Sequence, residues 1–295
     1  MKCFYGMFLK AVFDERGAVN RLEEKYRCLE RFILEKGGSG VVVAFSGGVD
    51  SSTLTAVAHR LLGDRVVAVT ASSATYPPEE LEVAAQMAKE IGVKHMVVGS
   101  DELSMEEFCR NPENRCYYCK GHLLDRLLKV AEELGFKAVF EGTNLSDLEG
   151  HRPGFQAVRE RPNVFSPWVE AGFTKDEIRT LAGKMGLSVA DKPSYACLSS
   201  RIPFGERITE ERLKRVWRAE HVVKVFTGAR QVRVRDHNGL ARIEVDGKER
   251  KLFFNEQVMD KLISELKSLG FNYVTLDLEG YRSGSMLHTL KLEEA

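Results

Sequence analysis

Val41-Val42-Val43-Ala44-Phe45-Ser46-Gly47-Gly48-Val49-Asp50-Ser51-Ser52 holds the strongest structural signal in the chain. The apolar, β-branched run follows a Gly37-Gly38-Ser39-Gly40 break and suits a strand buried on both faces. Two glycines directly after it let the backbone turn sharply and bring N–H groups against a ligand. Ser46 to Ser52 opens a helix that runs to about Leu62, whose N-terminus adds partial positive charge. Ser46, Ser51 and Ser52 contribute hydroxyl donors. A Gly-Gly turn capped by Asp50 or Ser51 looks similar without a ligand. Three serines in the loop, placed where open α/β sheets bind ligands, favour the phosphate-holding reading. The G-x-x-x-x-G-K-S/T pattern is absent, and Gly37 to Gly40 precedes its strand, which excludes a dinucleotide fingerprint.

Working outward, residues 20–36 have the spacing of an amphipathic helix. A second strand is expected at Val66 to Thr70, then a helix with Pro77 and Pro78 near its start and Gly92 after its end. Lys94 to Val98 predicts a third strand and Ala138 to Glu141 a fourth, with helical patterns near 103–110 and 119–134 between them. Alternating strands and helices predict a Rossmann-like α/β fold on a parallel sheet. After a helix at about 174–185 the periodicity fades. Beyond it come a helix at 209–226, strands at 230–235 and 240–245, a possible strand at 249–254, a helix at 256–269 and a strand at 272–278. The expected division is an extension at 1–19, a larger α/β domain at 20–195 and a smaller α+β domain at 196–295, where substrate binding or oligomerisation would reside.

Composition narrows the function classes. The 295 residues are 43% hydrophobic and 29% charged, which excludes disordered and fibrous chains. Forty-three basic side chains balance 43 acidic ones, so the electrostatic footprint of wholesale nucleic-acid or membrane-surface binding is missing. No apolar run approaches a membrane span, and Met1 to Arg16 lacks a signal-peptide pattern, so a cytoplasmic location is expected. Six cysteines are too few for a disulfide scaffold. Cys116 and Cys119 form a Cys-x-x-Cys, which in this setting favours metal or redox chemistry. No second such pair completes a structural zinc site, whereas two thiolates at this spacing can share an iron–sulfur cluster with a ligand from distant sequence.

Ser46 to Ser52 resembles the PP-loop of the adenine nucleotide alpha-hydrolase-like superfamily. Arg115-Cys116-Tyr117-Tyr118-Cys119-Lys120, Glu141-Gly142-Thr143-Asn144-Leu145-Ser146-Asp147, Arg152-Pro153-Gly154 and Lys192-Pro193-Ser194-Tyr195-Ala196-Cys197-Leu198-Ser199-Ser200-Arg201-Ile202-Pro203 extend the likeness. Together they resemble the LarE family of ATP-dependent sulfur transferases over roughly residues 20–290. The resemblance implies cleavage of ATP between its alpha and beta phosphates and adenylation of carboxylates of pyridinium-3,5-biscarboxylic acid mononucleotide, which become thiocarboxylates. It implies that Ser46, Gly47, Gly48, Val49, Asp50, Ser51, Ser52 and Gly142 hold ATP. Asp50 would help place Mg2+, and the strand end at Ala68 to Ala71 would flank adenosine. It also implies a homo-oligomer.

Two sulfur sources follow from the same likeness. Cys116, Cys119 and Cys197 would hold a 4Fe-4S cluster fed by a sulfide donor, or Cys197 would surrender its own sulfur and become dehydroalanine. Cys3, Cys28 and Cys109 are read as buried small hydrophobes, with Cys109 a weak fourth-ligand candidate. A small-molecule nucleotide bearing carboxylates and a phosphate suits guanidinium partners. Arg201, four residues after Cys197, is the catalytic candidate; Arg152, Arg233, Glu244 and Arg282 are the substrate-binding ones, all in segments of family likeness. Arg235 and Arg242 are left as surface charges, and Trp168 reads as core in preference to a stacking platform. Rival readings are a tRNA thiolation enzyme, disfavoured by the zero net charge, an NAD or GMP synthetase, which leaves the thiols unexplained, and a non-enzymatic ATP-sensing module.

Overall fold

The computed structural model describes residues 19–150, 152–193, 195–282 and 285–286, with side chains from residue 21 onward. The extension before Val19, with Cys3, lies outside the described residues, as do Ser194, Ser283 and Gly284.

The chain forms two compact units. The larger takes the described residues to Ser72, then Pro78–Ser100 and Cys116–Tyr195; the smaller takes Ser73–Pro77, Asp101–Arg115 and the described residues from Ala196 on. The smaller unit is therefore not one contiguous C-terminal piece.

In chain order the elements are α1 (Val19–Gly37), β1 (Val41–Ala44), α2 (Val49–Leu62), β2 (Val66–Ser72), α3 (Pro78–Ile91), β3 (Lys94–Gly99), α4 (Glu106–Cys109) and α5 (Arg115–Glu133). Then come β4 (Ala138–Phe140), α6 (Pro153–Arg159), β5 (Val164–Phe165), α7 (Pro167–Glu170) and α8 (Lys175–Lys184). The smaller unit continues through α9 (Glu210–Thr227), β6 (Val232–His237), β7 (Leu240–Val245), α10 (Glu256–Ser268) and β8 (Tyr273–Leu276).

The larger unit carries a five-stranded sheet in the order β3-β2-β1-β4-β5, parallel at every pairing. Its central strand feeds two cores. Val41 and Val43 pack with Leu54, Val57, Phe140 and Leu181 on one face, while Val42 packs with Val67, Leu124, Leu127 and Val139 on the other. That double burial is why β1 reads as an uninterrupted apolar run, each fully buried valine contributing roughly 1.5–3 kcal/mol. Strand order reverses between β1 and β4, so their C-terminal ends flank the crevice where such sheets bind ligands.

In the smaller unit β6 and β7 form an antiparallel hairpin. Its turn, Asn238-Gly239, has φ of 49° and 91°, the positive values that suit the twist of a tight hairpin. α10 carries the chain back to β8, parallel to β7. Ala219, Val223, Val234, Ile243, Leu262 and Leu266 form the core between sheet and helices.

The possible strand at 249–254 is instead a 3-10 turn, Arg250–Phe253, which buries Phe253 and leaves Phe254 exposed; β8 takes the place beside β7. The 103–110 pattern is broken into a 3-10 turn, Glu102–Ser104, and the single-turn α4.

Candidate functional site

The loop between β1 and α2 is built for close backbone approach. Gly47 has φ +67°, and a Cβ there would lie 2.8 Å from the Ala84 Cα, so only glycine fits. Ser51 is the internal brace: its Oγ accepts from the Ser46 N–H at 3.2 Å, lies 3.1 Å from Ser46 Oγ and donates to the Gly48 carbonyl at 3.2 Å. Thr53 and Thr55 hydroxyls return to the carbonyls of Val49 and Ser51, each at 2.7 Å. Ser52 Oγ is buried with no hydrogen-bond partner, the kind of orphan a ligand or water would satisfy. Gly142, just past β4, closes the crevice: a Cβ there would meet Asp50 Cβ and the Ser51 nitrogen, both at 3.3 Å. Ala71 lies at the end of β2 opposite Val98. Beside it, Thr70 Oγ1 donates to the Phe45 carbonyl at 2.7 Å and accepts from His95 Nε2 at 2.8 Å, and burial lowers the His95 pKa.

Asp50 is held from three directions. Its Oδ1 accepts from Asn144 Nδ2 at 3.1 Å, its Oδ2 pairs with the Lys175 ammonium, and its carbonyl accepts from Trp168 Nε1 at 3.1 Å. Trp168 is fully buried against Phe173, which agrees with a core role. The Asp50 and Lys175 side chains are about a quarter exposed (23% and 26%), so the carboxylate stays reachable. One carboxylate with a cation already beside it, next to a loop shaped for phosphate, fits the sparse protein ligation Mg2+ accepts when phosphates supply the rest.

Sequence reasoning assigned no role to Lys175. Thr174-x-x-Glu177 forms a capping box, which makes Lys175 the first residue of α8. A cation there is opposed by the helix dipole, and that mismatch is a readable sign that its partner lies elsewhere.

Cys116 and Cys119 lie on the first turns of α5, the first exposed and the second half-buried. The Arg152-Pro153-Gly154 stretch packs against them, since a Cβ on Gly154 would lie 3.3 Å from the Cys116 carbonyl oxygen. Pro153 opens α6, so this stretch is a helix start. Lys120, directly after Cys119, donates to Glu141 Oε2 at 2.8 Å. Glu141 is buried and also accepts from Thr143 Oγ1 at 2.7 Å and from the Ser166 hydroxyl. Burial opposes its ionisation, but the Lys120 charge and these hydrogen bonds outweigh that and hold its pKa below the ordinary value. The pair ties the cysteine-bearing turns to the end of β4. Two thiolates one helical turn apart are a soft donor set, suited to iron–sulfur ligation over a hard cation. Among the described residues, no group of three or more His, Cys, Asp and Glu side chains is assembled to hold a metal ion. Cys28 packs at the edge of the larger core. Cys109 is buried, donates to the Leu103 carbonyl at 3.2 Å and has its thiol pKa raised first of all by burial, which makes it a poor ligand.

In the smaller unit Cys197 is half-buried and precedes a 3-10 turn, Leu198–Arg201. The expectation that Arg201 meets the substrate is replaced by a different role. Its side chain is fully buried, with Nε 2.7 Å from Glu220 Oε1 and Nη2 3.1 Å from Oε2. Its Nη1 donates to the Ala196 and Cys197 carbonyls at 2.7 and 3.0 Å. Arg201 therefore shapes the cysteine turn. The surface reading of Arg235 is also corrected: it is buried, donating to the Ser200 carbonyl at 2.9 Å and to Glu244 Oε2 at 2.6 Å. Arg242 is half-buried between Glu244 and Asp277 at 3.1 and 2.6 Å. Arg233 sits opposite Glu244 in the hairpin, with its guanidinium 5.4 Å from the Tyr281 ring centre. Arg152 and Arg282 are exposed, in surface pairs with Asp147 and Glu279.

Residues 21–114 match the family model described as NAD synthase. An uncharacterized protein of Synechocystis is 43% identical over 91% of this chain and 99% of its own length. The pyridinium-3,5-bisthiocarboxylic acid mononucleotide synthase of Lactiplantibacillus plantarum is 38% identical over 85% of this chain and 90% of its own length. A tRNA-specific 2-thiouridylase of Rickettsia felis is 29% identical, over only 52% of each chain. A PP-loop at the switch point of a parallel sheet, shared across nearly the full length of such a synthase, means that the chain belongs to the LarE family of PP-loop sulfur transferases.

Proposed function

We propose that this chain adenylates the carboxylates of pyridinium-3,5-biscarboxylic acid mononucleotide and converts them to thiocarboxylates for nickel-pincer nucleotide biosynthesis, in the cytoplasm and as a homo-oligomer. The observation that carries the reading is the Ser46–Ser52 loop, with its glycine-only approach at Gly47, orphaned Ser52 hydroxyl and reachable Asp50. A carboxylate oxygen of the substrate attacks the alpha phosphorus of ATP, and pyrophosphate leaves. The loop N–H groups and hydroxyls hold the departing pyrophosphate, and Asp50 positions Mg2+. AMP then leaves the acyl carbon far more readily than oxide would. Arg152 and Arg282 can meet the substrate's anionic groups, since surface ion pairs are weak enough to exchange. Arg233 and Glu244 are assigned to the same substrate from the smaller unit.

For sulfur, Cys116, Cys119 and Cys197 would hold a 4Fe-4S cluster, which when bound supplies sulfide for transfer. A second reading rests on the Cys197 turn, whose backbone carbonyl is held by the buried Arg201 and whose thiol is half-buried. In it the Cys197 thiolate attacks the acyl carbon and expels AMP. Elimination then breaks the Cβ–S bond, giving the thiocarboxylate and dehydroalanine.

Iron and acid-labile sulfide, measured after anaerobic reconstitution of wild type and of Cys116→Ala, Cys119→Ala and Cys197→Ala, separate the two. The cluster reading expects about four irons in wild type and loss in every variant. Iron-free wild type whose Cys197 loses the elements of hydrogen sulfide, by mass spectrometry after ATP and substrate, overturns it in favour of the second.

A further inference from the structure

Arg115 opens α5 and directly precedes Cys116, yet it is only 6% exposed. Among the described residues no carboxylate pairs with it: Glu113 is exposed, and Glu106 is taken by Arg110 and Arg207. Its Nη1 donates to the neutral Asn111 Oδ1, and its guanidinium carbon lies 4.9 Å from the Phe204 ring centre. Its Nε is buried with no hydrogen-bond partner. An amide and a ring face orient a cation without neutralising it, whereas buried charges are ordinarily paired. Arg201 and Arg235, equally buried, each meet a glutamate. The helix start at Arg115 adds partial positive charge of its own, so it compensates nothing. The missing counter-charge has a location. Arg115 adjoins Cys116 in the chain, and Asn111 fastens it to the stretch after the Cys197 turn, donating to the Ile202 and Pro203 carbonyls at 3.3 and 2.6 Å.

We propose that Arg115 is the buried counter-charge of the iron–sulfur cluster assigned to Cys116, Cys119 and Cys197, helping to retain it and setting its reduction potential. A cluster core held by three thiolates is a net anion, and its net charge is one of the quantities that set its potential. Reduction adds a further negative charge, so a buried cation nearby favours the reduced form, and low dielectric strengthens the effect. The inference rests on the cluster reading of the three cysteines.

The test uses the full-length chain, reconstituted anaerobically, as wild type, Arg115→Gln and Arg115→Lys. Glutamine keeps an N–H donor for Asn111 without the charge, and lysine keeps the charge without the planar fork. Iron content reads retention of the cluster. A redox titration followed by electron paramagnetic resonance reads its potential, with no substrate or turnover. Arg115→Lys should hold iron as wild type does, at a potential close to it. Arg115→Gln should lose iron, or keep it with the reduction equilibrium shifted at least tenfold towards the oxidised form, about 59 mV lower for one electron. Urea unfolding of the iron-free chains separates charge from packing. There Arg115→Gln should not lower the midpoint, since it removes a charge that has no counter-ion. A reduction equilibrium within twofold of wild type in Arg115→Gln overturns the proposal. So does a lysine variant displaced as far as the glutamine one, or an iron-free midpoint lowered in both. Wild type that takes up no iron overturns the cluster reading and this inference with it.

Discussion

Arg201 shows how a residue can be located by its sequence neighbours and still be misread. Its place four residues after Cys197 marks it as close to the sulfur, and its Nη1 does bond the Cys197 carbonyl at 3.0 Å. The partner that determines its role, Glu220, comes from α9, and no local pattern links the two. The same holds for Asp50 and Lys175, 125 positions apart in the chain. The Gly47-Gly48 turn was legible because its chemistry is contiguous and its backbone demand is specific to glycine. Replacing one member of a buried, hydrogen-bonded pair leaves the other charge uncompensated. Arg201→Met should therefore cost about 3–5 kcal/mol, read as a lower urea midpoint at unchanged slope. A loss below about 1 kcal/mol would mean that the Glu220 fork does not hold the turn.

At the scale of elements, the sequence periodicity finds α5 but not what its first turns are fastened to. Glu141 lies just past β4 in an apolar run and looks like the mere end of a strand. In the fold it is the acceptor that joins Lys120, Thr143 and Ser166. The sign of its pH effect follows from its lowered pKa. Its stabilisation is fully present above the unfolded-state value, near pH 4.3, and is lost as pH falls through the lower folded-state value. Glu141→Gln should destabilise the protein by roughly 1–3 kcal/mol at pH 7, since Lys120 loses its charge partner. The gap to wild type should narrow as pH drops below about 4, where wild type loses the same contribution. Guanidinium melts of both proteins at several pH values check this; a gap that is constant down to about pH 3 would assign the ionised form of Glu141 no part in stability. At 249–254, where a strand was possible, Glu249-Arg250-Lys251-Leu252-Phe253-Phe254 has no apolar–polar alternation to fix one. A 3-10 turn buries the same phenylalanine, Phe253, without needing a sheet edge, and β8 already lies beside β7.

For the molecule as a whole, the division into two units follows packing more closely than chain order. The alternation of strands and helices made the larger unit legible. The two excursions at Ser73–Pro77 and Asp101–Arg115 were not, because they lack periodicity and work largely through backbone groups that any residue offers. Thr75 gives its carbonyl to the Leu198 N–H at 2.8 Å, and Cys109 gives its carbonyl to the Ile208 N–H at 2.8 Å. Asn111, buried with φ 55°, donates to the Pro203 carbonyl at 2.6 Å and accepts from Arg115. These bonds brace the stretch on either side of the Cys197 turn, whereas the β6–β7 hairpin and its helices share a core drawn from Ala219 to Phe271. A fragment spanning residues 196–295 should therefore keep the hairpin core and lose the ordered cysteine turn. Hydrogen exchange distinguishes the two parts. In the full chain the amides of Leu198, Ile208 and Arg235 should all be protected. In the fragment Arg235, paired with Arg242 in the hairpin ladder, should stay protected while Leu198 and Ile208 exchange at least about 100-fold faster, a local opening near the unfolded limit. Protection of Leu198 in the fragment equal to that in the full chain would mean that the turn organises itself through Arg201 and Glu220 alone, without the excursions.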